Sequence, residues 1–388
     1  MYKVILKKGE EKRILQGHPW IFANEVSKIE GKDKQGSIAE VVSFDGRYIG
    51  RGYINHLSKI IVRILTLGGE EIDRDFFKNR IEKAVSYRRS LGYSDNYRAV
   101  FAESDFLPGL IVDKYGDYLS VQFLTLGMEV RKSLITELLV EIFSPKGIYE
   151  RSDVAIRKKE GLEPVKSLLY GAIPDEVIIE ENGVKLAVDI INGQKTGYFL
   201  DQKSNRARVR PYVRDKKVLD CFCNVGGFSL CAAKYGAKSV ISLDISPLAI
   251  RTVEKNSNLN GFDQISAKTA DVFQALREYK KEQTTFDTII LDPPAFTKSS
   301  DTVKEGYDGY VDINSLALKL LNPNGHLITC SCSQHLTMQL FIKMIKESAI
   351  RAGVTAEIVE LSIQGQDHPM LLSDDEALYL KCAVIRRF

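Results

Sequence analysis

Three patterns of apolar and polar positions succeed one another along the chain. The N-terminal stretch alternates apolar and polar residues in short runs broken by glycines. Val4–Leu6, Ser37–Ser43, Tyr48–Tyr53 and Ile60–Leu65 read as strands of a small β-barrel. From Asp73 the spacing turns helical: Phe76, Phe77, Ile81, Ala84, Val85, Tyr87 and Leu91 recur at three- and four-residue intervals. That leaves Lys78, Arg80, Lys83, Arg88 and Arg89 to solvated faces. A hairpin over Leu110–Phe123 with its turn near Gly116, a helix from Arg131 to Phe143, a strand at Ile148–Glu150 and further strands to about Val188 complete a central α+β module. Beyond it, unbroken apolar strands (Val218–Asp220, Ser239–Asp244, Asp287–Asp292, His326–Thr329) are separated by helices near Phe228–Tyr235, Pro247–Asn260 and Ile313–Leu321. Strands apolar on both faces, with helices between them, predict an α/β domain built on a mostly parallel, doubly wound sheet. The expected domains are 1–72, 73–178 and 179–388.

In a doubly wound sheet the ligand sits beyond the carboxyl ends of the strands, and acids stand at those ends here. Asp220 opens Asp220-Cys221-Phe222-Cys223-Asn224-Val225-Gly226-Gly227, a strand, a tight loop and a helix start. Gly226 and Gly227 let the backbone approach a ligand, with Phe222 and Asn224 beside them. The loop is not the Gly-x-Gly-x-x-Gly dinucleotide fingerprint. Asp244 ends the next strand, where a carboxylate can accept both hydroxyls of a ribose. Asp271 ends a third and could accept from an adenine amine, with Ile245 and Val272 as flanking contacts. Three acids in order, with no phosphate grip, describe S-adenosylmethionine better than NAD or ATP. The plainer account, helix N-caps beside turns, applies to each acid singly.

The most informative segment is Asp292-Pro293-Pro294-Ala295-Phe296, with Thr329-Cys330-Ser331-Cys332-Ser333 at the end of the following core strand. An acid, two rigid prolines and an aromatic ring suit a flat polar base: Asp292 for the base edge, Pro293 beside the cofactor, Pro294 and Phe296 against the substrate. Either cysteine of the second segment is a candidate nucleophile, although a cysteine's default is inert packing. With Cys221 and Cys223 they could form a four-thiolate metal site. One-residue spacings are less typical of zinc than two- to four-residue ones, so no metal is expected. In the barrel, Gly17-His18-Pro19-Trp20-Ile21-Phe22 holds the only tryptophan, Trp20, a candidate for base stacking or simple core filling.

Composition narrows the setting. At 388 residues the chain exceeds one typical domain, and 44% hydrophobic with 27% charged residues is the balance of a soluble globular protein. The polar start and the lack of a long apolar run predict neither a signal peptide nor a membrane span. Six cysteines in a chain this long fit a reducing cytoplasm. A net charge of +3 means that any nucleic-acid surface is local. A barrel edge could pair two copies into a homodimer, though nothing in the residues demands it.

With these residues in hand, the chain resembles the class I S-adenosylmethionine-dependent ribosomal RNA large-subunit cytosine-C5 methyltransferases that carry an N-terminal PUA domain. The likeness runs almost end to end. It rests on Gly17–Phe22, on Glu103–Gly116, on Gly193-Gln194-Lys195-Thr196-Gly197-Tyr198-Phe199-Leu200-Asp201-Gln202-Lys203 closed by Asn205-Arg206, on the glycine loop, on Asp-Pro-Pro-x-Phe, on Ser331-Cys332-Ser333 and on Asp367-His368-Pro369. The resemblance implies a PUA barrel that helps bind RNA, a linker module and a Rossmann-like methyltransferase domain. It assigns Cys332 as the nucleophile and leaves Cys330 as packing. It also implies that the Lys195–Arg206 segment covers the cofactor, with Phe199, Asp201, Gln202 and Arg206 as contacts and Lys195 facing the substrate. Ala295 stands where many RNA cytosine-C5 methyltransferases carry a second cysteine, so another base, such as water held by Asp292, has to serve in product release. A rival chemistry is methylation of an exocyclic amine on the Asp292 platform, which needs no cysteine. An RNA-binding assembly factor with a vestigial pocket is the non-enzymatic alternative.

Overall fold

The computed structural model describes residues 2–31, 36–296, 303–374 and 377–388. The chain divides into two compact units. The first comprises Met1–Val177, Val188–Leu200 and Gln366–Ala377, and the second Ile178–Ala187, Asp201–Gly365 and Leu378–Phe388.

The first unit opens with a six-stranded sheet in the order Trp20–Phe22, Ile60–Thr66, Tyr48–Ile54, Ile38–Val42, Tyr2–Leu6, Val26–Glu30. Alternation works as the sequence predicts: Tyr2, Val4 and Leu6 point inward with Ile21, Val41, Ile54 and Val62. Gly52 is required by the pairing, because a Cβ there would stand 2.1 Å from the carbonyl oxygen of Arg63. The strand at Trp20–Phe22 was not expected; its three residues are too few to show a period.

A five-stranded sheet follows in the order Val165–Gly171, Gly147–Ser152, Tyr118–Phe123, Leu110–Tyr115, Asn96–Phe101, with the helices Arg74–Ser90 and Lys132–Phe143 packed on it. Asp73 caps the first helix by accepting from the Phe76 amide at 2.9 Å, a bond worth about 1 kcal/mol. Arg88, expected on a solvated face of that helix, is instead fully buried. Its guanidinium donates to Asp105 (2.6 Å), to the Arg98 carbonyl (3.0 Å) and to the Asp367 carbonyl (2.8 Å). A buried arginine persists when its donors are met this completely.

The second unit is a seven-stranded sheet. Its strands are numbered here β1 (Lys217–Cys221), β2 (Ser239–Asp244), β3 (Ile265–Thr269), β4 (Phe286–Leu291), β5 (Leu321–Ser331), β6 (Ala356–Ile363) and β7 (Lys381–Arg387), with helices α1 (Gly227–Lys234), α2 (Pro247–Asn260), α3 (Val272–Lys281), α4 (Val303–Leu320) and α5 (Met338–Ala352). The order is β3-β2-β1-β4-β5-β7-β6. The first five strands are parallel, while β7 runs antiparallel between β5 and β6. The parallel strands match the expectation because they are buried on both faces: Leu219, Leu243, Ile289, Leu291 and Leu327 belong to one core with Leu276, Leu316 and Phe341 from the helices. The strand order reverses between β1 and β4, so their carboxyl ends flank the crevice in which such sheets bind ligands.

Candidate active site

Asp220 lies next to the end of β1 and is fully enclosed. Its Oδ2 accepts from Ser229 Oγ at 2.6 Å, and Ser229 shares a second 2.6 Å bond with Ser242. Oδ1 has no partner among the described residues. Burial pushes this carboxyl up to about 7, and the nearby charges of Asp292 and Asp244 add to the rise. Asp220 therefore ties β1 to α1 and β2, and so holds the loop between them in shape.

That loop is sharply folded. Phe222 (φ 61°), Asn224 (φ 49°) and Gly226 (φ 88°) all occupy left-handed conformations. A Cβ on Gly226 would lie 3.2 Å from both γ-carbons of Val253. Asp244 at the end of β2 fixes the loop from the side: Oδ2 accepts from the Asn224 amide (3.0 Å) and Oδ1 from the Ser246 amide (2.9 Å). Each carboxylate oxygen keeps a further lone pair, which suits the two hydroxyls of a ribose. Ile245 beyond it is strongly exposed. Asp271 is the N-cap of α3 and accepts from the Gln274 amide at 2.9 Å. Val272 next to it is buried.

On the other side of β1, Asp292 follows β4, and its Oδ1 accepts from Gln202 Nε2 at 2.8 Å. Gln202 is held in turn: Asn205 Nδ2 donates to its Oε1 at 2.7 Å, and Ser362 Oγ donates to Asn205 Oδ1 at 2.8 Å. The chain of donors fixes which end of the Gln202 amide faces Asp292. Pro293 is buried and Pro294 exposed. The Phe296 ring packs 4.6 Å from that of Tyr310, with Phe273 and Phe222 at 5.9 and 6.4 Å, so it sits in an aromatic cluster. Asp201 accepts from Tyr379 Oη at 2.8 Å. Arg206 meets Glu181 through two bonds of 2.5 and 3.0 Å, both side chains buried, which gives it a partner inside the fold.

The two cysteines of the β5 segment separate cleanly. Cys330 is fully buried opposite Cys382 of β7, and the hydrogen bond with that thiol, together with burial, pushes its own well up. Cys332 lies just past the strand end and is the one cysteine among the six that is not buried. Ser331 and Ser333 on either side both bond the hydroxyl of Tyr310, at 3.0 and 2.9 Å. Lys381 donates to the Ser333 carbonyl at 2.7 Å. Sequence reasoning missed Tyr310 and Lys381, and named Asn205 only as part of the segment over the cofactor. Only Lys381 left a signal, a lone charge in the apolar run Leu380-Lys381-Cys382-Ala383-Val384.

Of the expected site residues, this unit carries Asp201, Gln202, Arg206, Asp220, Phe222, Asn224, Gly226, Gly227, Asp244, Ile245, Asp271, Val272, Asp292, Pro293, Pro294, Phe296 and Cys332. Lys195, Phe199 and Trp20 belong to the first unit, where Lys195 Nζ stands 4.7 Å from the Phe199 ring centre. Trp20 Nε1 donates to Glu103 at 2.9 Å, and the ring meets His18 edge-on.

Residues 4–67 match the PUA-like domain family, and residues 164–382 match the S-adenosylmethionine-dependent methyltransferase family. Over 387 residues, 97% of both chains, the sequence is 45% identical to the ribosomal RNA large subunit methyltransferase I of Vibrio cholerae. The protein of the same name from Aliivibrio fischeri is 44% identical over 392 residues, 98% of this chain and 99% of its own. The chain belongs to the ribosomal RNA large subunit methyltransferase I family. Its fold is also that of a methyltransferase crystallised with SAH, at a TM-score of 0.86 and 21% identity over the whole of both chains, and of an S-adenosylmethionine-dependent methyltransferase from Streptococcus mutans (TM-score 0.84, 22% identity, again over both whole chains). The cofactor of this methyltransferase is S-adenosylmethionine, and the site fits it. Asp244 beside the folded Gly226 loop keeps acceptors for a ribose. No Lys or Arg within ion-pair distance neutralises Asp244 among the described residues, which suits a cationic ligand. None of these comparisons supports a homodimer. No helix of the described residues is long and apolar enough to cross a membrane.

Proposed function

We propose that this methyltransferase forms 5-methylcytosine in large-subunit (23S) ribosomal RNA, with Cys332 as its nucleophile. The observation that carries the reading is the partial exposure of Cys332 alone among the cysteines, beyond the carboxyl end of β5 and on the same edge of the sheet as Asp292. The substrate class comes from the relatives, which are named for the large ribosomal subunit. The PUA-like domain suits an RNA partner. The supporting role of the barrel in RNA binding, with Trp20 and Lys195 toward the substrate, belongs to the same proposal.

Carbon 5 of cytosine is a poor nucleophile. Cys332 Sγ bonds to carbon 6, and the electron pair moves to carbon 5 and into the ring. S-adenosylmethionine supplies the methyl group as an electrophilic sulfonium. Asp292, whose geometry Gln202 fixes, meets the base edge as charge develops there. A base then takes the proton from carbon 5, the carbon 5–carbon 6 double bond re-forms, and the sulfur leaves as a thiolate. A base in a helix is out of reach, so the target is flipped out or single-stranded. Asp244 and the Phe222–Gly227 loop hold the cofactor, with Val272 and Pro293 lining it. The packing of Phe296 into the Tyr310 cluster counts against an open aromatic platform for amine methylation.

Nucleoside mass spectrometry on unmodified 23S RNA incubated with methyl-labelled cofactor tests this. Wild type yields labelled 5-methylcytidine, and Cys332→Ala yields none while still binding the cofactor. Label in an N-methylated base, or product formation by the variant, overturns the reading.

A further inference from the structure

Lys381 is the first residue of β7 and pairs with Ser331 across the antiparallel ladder, one position before Cys332. It is fully buried, among the largest enclosed side chains of the molecule. Its ammonium donates to two neutral carbonyls, those of Ser333 (2.7 Å) and Tyr379 (2.9 Å). No carboxylate lies within ion-pair distance of it among the described residues. An ammonium enclosed in this way is costly unless an opposite charge offsets it. The structure assigns that charge: we propose that Lys381 is the counter-ion that keeps Cys332 deprotonated before the base arrives. This rests on reading Cys332 as the nucleophile.

The surrounding groups sharpen the case. Burial pulls the Lys381 ammonium down to about 8, and a thiolate at Cys332 pushes back up against it. An ammonium beside a thiol favours the thiolate by the same attraction. Titratable groups near the segment include Asp292 at the end of β4, Tyr310 on α4 and the buried thiols Cys330 and Cys382. The Asp292 carboxylate raises the Cys330 thiol, and a thiolate at Cys332 raises the Tyr310 hydroxyl, so neither group favours charge on sulfur. Lys381 does favour it. The Cys332 proton passes to Nζ when the amine is neutral, or to solvent when it is already charged. No proton returns to sulfur at the end of the cycle, because the sulfur leaves carbon 6 as a thiolate. Lys381 acts through Cys332 and is a positioning and activating residue.

The alternative is a structural staple that merely ties the Ser333 and Tyr379 carbonyls together. The rate of Cys332 alkylation by iodoacetamide in the full chain without RNA, followed from about pH 5.5 to 9.5 by peptide mass spectrometry, separates the two. The other five cysteines are buried and give the unreactive background. An ordinary cysteine titrates near about 8.5. The expected wild-type midpoint lies at least about one unit lower, and Lys381→Met moves it up by about one unit or more, a loss of roughly tenfold in rate at pH 7. A structural role would change melting temperature and leave the midpoint in place. A wild-type midpoint at or above about 8.5 overturns the proposal without any variant, and so does a Lys381→Met profile superimposable on wild type. A low midpoint together with an active Cys332→Ala enzyme would sink the nucleophile reading and leave the ion pair standing. An ordinary midpoint with an inactive Cys332→Ala enzyme would do the reverse.

Discussion

Replacing Asp220 with asparagine should make the protein more stable at alkaline pH and less stable in acid. The wild-type carboxyl titrates at about 7 in the folded state, because it is enclosed and only one of its oxygens has a partner. In the unfolded chain it titrates near about 3.9, and each unit of difference corresponds to about 1.4 kcal/mol. The folded state therefore holds this proton more tightly than the unfolded state. The stability this confers is fully present below about pH 4 and is lost as the pH rises toward 7. At pH 8 that loss reaches about 4 kcal/mol. Asparagine does not titrate, but it places an NH2 group where Oδ1 had no donor to meet, a fixed cost of about 1–3 kcal/mol. The stability difference between variant and wild type should thus swing by about 4 kcal/mol between pH 4 and 8, changing sign between about pH 5 and 6. Urea unfolding followed by far-UV circular dichroism at several pH values reads this directly. Fluorescence would not, because the single tryptophan, Trp20, lies in the first unit. Two stability profiles that run parallel to within about 1 kcal/mol would refute the account of Asp220 as a penalised buried carboxylate.

Gly226→Ala should lower the stability of the methyltransferase unit by roughly 1–2 kcal/mol through its left-handed φ. It should also weaken cofactor binding through the 3.2 Å approach to Val253, and unchanged calorimetric affinity would show that the loop tolerates a side chain. Arg206→Met, which removes the guanidinium from the buried Glu181 carboxylate, should cost about 3–5 kcal/mol. Adding Glu181→Leu should recover most of that loss, and a double variant that is stable yet cannot bind the cofactor would return Arg206 to the ligand contacts.

What the sequence made legible was local. The unbroken apolar runs of β1, β2 and β4 follow from burial on both faces, and they put Asp220, Asp244 and Asp292 at strand ends. The distinction between Cys330 and Cys332 came from the family likeness; the structure supplies its physical side, one thiol inside the ladder and one just past it. The final antiparallel pair escaped notice. β6 is largely exposed and has no clean alternation, and Lys381 at the start of β7 looks like a stray charge until Ser333 is found beside it. The partners of Arg88, Arg206 and Phe296 were equally invisible. Each depends on a residue brought close by the fold from elsewhere in the chain, and no period or composition encodes that.

The fully enclosed Arg88 sets a timetable for synthesis. Its last acceptor is the Asp367 carbonyl, and the carboxylate of the same residue takes the Arg98 amide at 2.9 Å. Both groups lie in the first unit, yet the ribosome must add well over two hundred residues after Arg88 before it reaches Asp367. The nascent N-terminal half therefore holds Arg88 by Asp105 and the Arg98 carbonyl, without this last acceptor, until Asp367 has been made. Any fragment that stops short of Asp367 should emerge as a loosened, protease-sensitive half, however natural a boundary it ends on.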